Sequence, residues 1–235
     1  MEGEKPQCTL VPSNHAHVLP LHRGGKPGRD RTTRGPIDTV VCAPESCTRP
    51  PASHGLLTVI CGCMFSGKTT DLLRRLDGCS PGSLLAFKHV IDNRYRGDAI
   101  VSHGGKAFPA EAITHAGEML GCLCGGIELV AVDEGHFFDE SLVDASRRVI
   151  GRGISVIITS LDRDSWGRRF PVAEQLRAIA DEPIVRHAVC ARCGATADRT
   201  QRLTPIIDGN MVGGPESYEP RCQRCWAPPP QPPPK

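Results

Sequence analysis

The sequence predicts an α/β fold: a P-loop core with a parallel β-sheet flanked by helices, plus a small zinc-ribbon module. Three observations carry this prediction. Short apolar runs alternate with segments of helical period between residues 55 and 185, the pattern of strands buried on both faces and joined by covering helices. The first run leads into Gly62-Cys63-Met64-Phe65-Ser66-Gly67-Lys68-Thr69, which fits G-x-x-x-x-G-K-[ST]. Two Cys-x-x-Cys pairs, Cys190/Cys193 and Cys222/Cys225, stand near the C-terminal end with the spacing of a ribbon around zinc.

Taken in order, residues 1–54 read as a disordered extension, rich in Pro, Arg, Gly, Thr and His, in which Thr39-Val40-Val41 is the one piece with strand character. The core, 55–185, opens with Leu56 to Cys61, an unbroken apolar run, as a first buried strand. Thr69 to Leu76 follows as a helix, with Leu72, Leu73 and Leu76 on one face. Leu84 to Phe87, Ile127 to Val132 and Ile154 to Ile158 are further strands, and Ser141 to Ile150 and Val172 to Ala180 are helices. Residues 186–227, poor in apolar side chains, form the zinc module, and 228–235 is a proline-rich extended tail.

Composition narrows the partners. A net charge of +2 and an aromatic content of 4% argue against a nucleic-acid partner, which needs a basic footprint or stacking platforms. No run reaches the roughly 18–20 apolar residues that cross a bilayer, and Met1 to Leu10 has no apolar leader core, so no membrane partner and a cytoplasmic location are expected. In that compartment the 12 cysteines are reduced thiols or metal ligands. Cys61 reads as core, Cys63 as loop filler, and Cys122 and Cys124 as turn residues.

Each motif has a chemical reading and a plainer competitor. In the glycine loop, Gly62 and Gly67 let successive N–H groups converge on a phosphate, Lys68 reaches the β- and γ-phosphates, and Thr69 can ligand Mg²⁺. A chance glycine turn is the alternative, against which stand the strand before it and the helix after it. Val130-Ala131-Val132-Asp133-Glu134 ends a strand in two carboxylates: Asp133 suits Mg²⁺, and Glu134 suits a general base, or else merely caps the next turn. The four zinc cysteines leave no open coordination position, so the site reads as structural. A redox dithiol pair and a nucleic-acid-binding ribbon stay open as alternatives.

Together these blocks resemble the type II thymidine kinases. The loop Gly62 to Thr70 resembles the family's phosphate loop. Asp133-Glu134-Gly135-His136-Phe137-Phe138 resembles its acidic box, and Leu161-Asp162-Arg163-Asp164 with Phe170-Pro171 its Leu-Asp-Arg-Asp segment. Lys88 with Asp92-x-Arg94-Tyr95, Thr200-x-Arg202, and Val212-Gly213-Gly214 with Tyr218 complete the match, from Gly55 to Trp226. The resemblance implies a RecA-like core and a zinc-anchored lasso. It also implies transfer of the γ-phosphoryl of ATP, with Mg²⁺, to the 5′-hydroxyl of deoxythymidine, and a homotetramer inhibited by the thymidine triphosphate. Residues 62–69 and 133–136 would then hold the nucleotide, with Glu134 as catalytic base. Arg94, Phe137, Leu161, Ser165 and Phe170, with Thr200, Gly209, Asn210, Met211, Val212, Gly213 and Tyr218 of the lasso, would hold the nucleoside. Cys190, Cys193, Cys222 and Cys225 would hold structural Zn²⁺. His136 stands where the family has Gln, Ser165 where it has an aromatic, with Trp166 next door, Arg169 where it has Pro, and Gly209 where many members have an apolar residue. Because these changes fall on the base pocket, a kinase of another pyrimidine deoxynucleoside, such as deoxyuridine, is the first alternative. A non-catalytic nucleotide-binding zinc-ribbon protein is the second.

Overall fold

A computed structural model describes residues 54–80, 82–92, 98–205 and 212–230. The expected extension up to residue 53, Arg94, Gly209, Asn210, Met211 and the tail beyond residue 230 lie outside the described residues.

The chain forms β1 (Leu57–Gly62), α1 (Lys68–Leu76) and β2 (Leu84–His89). A small hairpin follows, β3 (Ala99–Val101) with β4 (Ala107–Pro109), then β5 (Glu111–Ile113) and the short α2 (Met119–Cys122). The core is completed by β6 (Leu129–Asp133), α3 (Ser141–Ile150), β7 (Ser155–Ser160), α4 (Pro171–Ile179) and β8 (Glu182–Arg186). Six strands make one sheet in the order β5-β2-β6-β7-β1-β8, and every pairing in it is parallel. β1 and β6, which carry the glycine loop and the acidic end, flank β7, so Val59 and Val132 both align with Ile158.

Side chains alternate across the sheet, as the two-residue period of a strand requires. Leu57, Val59 and Cys61 pack with Val132, Val156 and Ile158 beneath Leu142 and Val149 of α3 and Val172 and Leu176 of α4. Ile60, Ala131 and Ile157 turn to the other face and meet Leu72, Leu73 and Leu76 of α1. Each such side chain, removed from water, contributes roughly 1.5–3 kcal/mol. The expected helices form within a residue or two of their anticipated ends. α4 starts at Pro171, whose missing N–H costs nothing in the first turn.

The two edge strands of the sheet were not anticipated. β5 (Glu-Ala-Ile) and β8 (Glu-Pro-Ile-Val-Arg) are short and partly exposed, and lack the continuous apolar signature of the strands they border. Cys122, expected in a turn, is the last residue of α2, and Cys124 lies just beyond it. After β8 come β9 (Ala188–Val189) and β10 (Thr196–Ala197), then β11 (Arg199–Arg202) and β12 (Tyr218–Arg221), two antiparallel pairs. Their own buried apolar cluster is only Cys190, Ala197 and Cys222. Among the described residues no helix is long and apolar enough to cross a membrane.

Candidate active site

The phosphate loop runs from the end of β1 to the start of α1. Gly62 has no room for a side chain, because a Cβ there would lie 2.2 Å from the Arg186 backbone oxygen. Gly67 (φ 81°) and Phe65 (φ 63°) both occupy the left-handed region that curls the loop. Lys68 Nζ turns back across the curl and donates to Cys63 O at 2.8 Å. Ser66 is buried and its hydroxyl meets no hydrogen-bond partner among the described residues. Thr69 Oγ1, in the first turn of α1, lies 3.2 and 3.3 Å from the two carboxylate oxygens of Asp133.

Asp133 ends β6 and Glu134 follows in the left-handed conformation, φ 53°, ψ 47°. One residue organises both, and sequence reasoning missed it. Thr159, fully buried near the end of β7, accepts the Glu134 N–H at 3.1 Å and donates a close hydrogen bond to Asp133 Oδ1. A polar Thr-Ser pair ending an apolar strand was the available signal. Glu134 Oε2 lies 3.5 Å from His136 Nδ1. That nitrogen accepts the Leu161 N–H at 3.2 Å. Gly135 is buried, and a Cβ there would meet Ile158 Cγ2 at 2.8 Å.

A cavity of about 610 Å³ opens beside Glu134, within the usual size of a small-molecule site. His136, Phe137, Leu161 and Phe170 line it, the His136 ring lying 4.3 Å from Phe137 and 4.9 Å from Phe170 between centroids. Ser165 lines it too; the side chain is buried and its hydroxyl has no protein partner. Met64 reaches in from the phosphate loop, and Thr200, Val212, Gly213 and Tyr218 from the zinc module. The structure thus gathers the expected nucleoside-side residues that it describes, and Met64, Glu134 and His136, expected beside the nucleotide, line the same cavity. The cavity also holds Val90, Ile91, Arg163, Asp164, Trp166 and Arg168, which were not named as candidates. Lys88 and Asp92 are buried, with Lys88 Nζ 3.4 Å from Asp92 Oδ2.

The four thiols of Cys190, Cys193, Cys222 and Cys225 converge, with all their sulfurs within 4.8 Å of one another and those of Cys193 and Cys222 3.6 Å apart. Tetrahedral zinc with bonds of about 2.3 Å sets its sulfurs roughly 3.8 Å apart, so the cluster fits that ion. The electrostatics agree. Burial opposes ionisation of Cys190, but the N–H groups of Cys222, Arg192 and Cys193 outweigh it and draw the thiol down to about 6. The sulfurs of Cys193 and Cys222, with burial, push Cys225 up to about 12. The cluster is also joined to the phosphate loop. Met64 N–H donates to Thr200 Oγ1 at 3.1 Å, Cys63 Sγ lies 3.5 Å from Ala197 O, and Arg186 grips Asp71 of α1 through two nitrogens at 2.6 and 3.1 Å.

A loop shaped for phosphates, carboxylates one strand away, and a cavity for a small acceptor define a P-loop kinase that uses ATP. Comparison with known proteins narrows the class. The family model described as thymidine kinase matches residues 55–226. Over 189 residues the chain is 41% identical to the thymidine kinase of Roseiflexus sp. (strain RS-1), covering 74% of this chain and 96% of that relative. Over 192 residues it is 42% identical to the thymidine kinase of Roseiflexus castenholzii (strain DSM 13941 / HLO8), covering 75% and 97%. The chain belongs to the thymidine kinase family.

Proposed function

We propose that this protein transfers the γ-phosphoryl of ATP to the 5′-hydroxyl of deoxythymidine, giving dTMP and ADP for DNA precursor salvage. The observation that carries the reading is the position of Glu134. It lines the aromatic cavity, next to Asp133, whose carboxylate is within 3.3 Å of the phosphate-loop hydroxyl of Thr69.

In this mechanism the glycine loop and Lys68 hold the triphosphate, with Lys68 leaving Cys63 O for the phosphates. His136, Phe137, Leu161 and Phe170 wall the base, and Thr200, Val212, Gly213 and Tyr218 close over it from the zinc module. That positioning supplies most of the acceleration in phosphoryl transfer. The 5′-oxygen forms a bond to the γ-phosphorus as the bond to the β,γ-bridging oxygen breaks, and the hydroxyl proton passes to the Glu134 carboxylate. Thr69 and Asp133 are the residues that would hold Mg²⁺, which when bound neutralises phosphate charge. Arg94, Gly209, Asn210 and Met211 remain nucleoside-side candidates from the family resemblance alone. The same source supplies the expectation of a homotetramer subject to feedback by the thymidine triphosphate, while the expected cytoplasmic location comes from the lack of an apolar span or leader core in the sequence.

A second reading, preference for another pyrimidine deoxynucleoside, is favoured by Ser165, a small polar side chain on the cavity wall where the family has an aromatic. Purified protein with Mg-ATP and each of deoxythymidine, deoxyuridine, deoxycytidine, deoxyadenosine and deoxyguanosine separates the two. Preferred formation of dTMP supports the first, preferred phosphorylation of deoxyuridine or deoxycytidine supports the second, and transfer to none overturns both.

A further inference from the structure

The stretch that leaves the zinc cluster toward the C-terminus does not run free. Its origin is fixed where the Trp226 N–H donates to Cys222 O at 3.0 Å, directly after the ligand Cys225. The Ala227 N–H then donates to the side-chain oxygen of Gln201 at 2.8 Å, beside Thr200. The Trp226 ring, with the Arg199 guanidinium 5.8 Å from its centroid, covers Gly167 so closely that a Cβ there would lie 3.1 Å from it. Four residues beyond Trp226, Pro230 O accepts the indole N–H of Trp166 at 2.7 Å.

Trp166 and Gly167 belong to the turn between Arg163 and Arg169, which pair as an antiparallel bridge. This turn is a closed unit. Asp164 Oδ1 accepts the N–H groups of both Trp166 and Arg168 at 2.9 Å, its second oxygen binds Arg168 Nε at 2.7 Å, and Arg168 lies over the Trp166 ring. Arg163, Asp164, Ser165, Trp166 and Arg168 of this unit all line the cavity, so the stretch that contacts Trp166 and Gly167 contacts a wall of the cavity.

We propose that residues 226–230 are a strap that holds this turn against the nucleoside, with Trp226 and Trp166 as positioning residues. The proposal rests on the reading of the cavity as the nucleoside site. It also accounts for the prolines at the start of the tail. Proline fixes the backbone and carries no N–H, so its carbonyls can be presented with little conformational freedom to lose.

The chain contains 2 tryptophans, and both lie at this contact, so the strap has its own optical signal. Three variants are needed: a chain ending at Ala227, Trp166→Phe, and their combination. The nucleoside KM is expected to rise roughly 3- to 10-fold in each single variant, the range of one lost hydrogen bond, with no further rise in the combination. KM for ATP and zinc content should be unchanged. With Trp226 retained, ending the chain at Ala227 should increase acrylamide quenching of the tryptophan emission and shift it to the red. Unchanged quenching overturns the strap whatever the substrate proves to be. Increased quenching with an unchanged nucleoside KM overturns the positioning role. A full chain that phosphorylates no nucleoside sinks the proposed function and the positioning role with it, while the quenching result still judges the strap.

Discussion

Met64 and Thr200 are 136 positions apart, yet the backbone N–H of the first donates to the hydroxyl of the second at 3.1 Å. This bond fixes a phosphate-loop residue to a strand of the zinc module, and both residues line the cavity. Thr200→Val keeps the volume and removes the acceptor. A hydrogen bond of this kind is worth about 1 kcal/mol, so KM for ATP and for thymidine should rise together by about 5-fold. Steady-state kinetics in both substrates checks this; a change in neither would leave the two sites uncoupled.

Glu134→Gln retains shape and removes the proton acceptor. Turnover should fall by about 10²–10⁴-fold while ATP affinity, measured by calorimetry, stays near that of the parent protein. Unimpaired turnover would remove Glu134 from the chemistry.

Asp71 is the buried carboxylate that Arg186 and Arg74 hold. Burial opposes its ionisation, but hydrogen bonds from those two arginines prevail and hold its carboxyl below the ordinary carboxylate range. A carboxyl depressed on folding stabilises the protein above its unfolded pKa, near 3.9, and loses that contribution as pH falls through the folded value. Asp71→Asn should therefore lower Tm at pH 7, and the gap to the parent should narrow in acid. Melting curves between pH 3 and 7 test this, and a gap independent of pH would contradict it.

Cys222→Ser should release zinc and, with so small an apolar cluster beneath it, unfold the β9–β12 module. Metal analysis of the purified variant together with thymidine KM is the check. A zinc-free variant with parental KM would separate the metal from nucleoside binding.

Much of this was legible in the sequence because the buried parts obey simple periods. β1, β2, β6 and β7 are apolar runs because they are covered on both faces, and α1 and α3 show their leucines and valines at helical spacing. The glycine loop and the thiol pairs were readable because phosphate approach and zinc geometry tolerate few residue types. β5 and β8 were not, since an edge strand buries little and so has little need for an apolar pattern. Thr159 was hidden for another reason: it accepts from one residue of the neighbouring strand's end and donates to another, and the polar Thr159-Ser160 pair at the end of an apolar strand does not tell which partners it bridges. The Arg163 to Arg168 turn drew notice by resemblance, but its contact with Pro230 depends on chain segments far apart in sequence.

The left-handed backbone of Glu134 has a consequence for anyone who tries to harden this protein. Glycine adopts that conformation freely, whereas a residue with a side chain gives up roughly 1–2 kcal/mol there. A library sorted only by heat resistance should thus drift toward glycine at 134, and its sturdiest members should be inert. Any such selection on this chain has to be made on turnover and endurance at once.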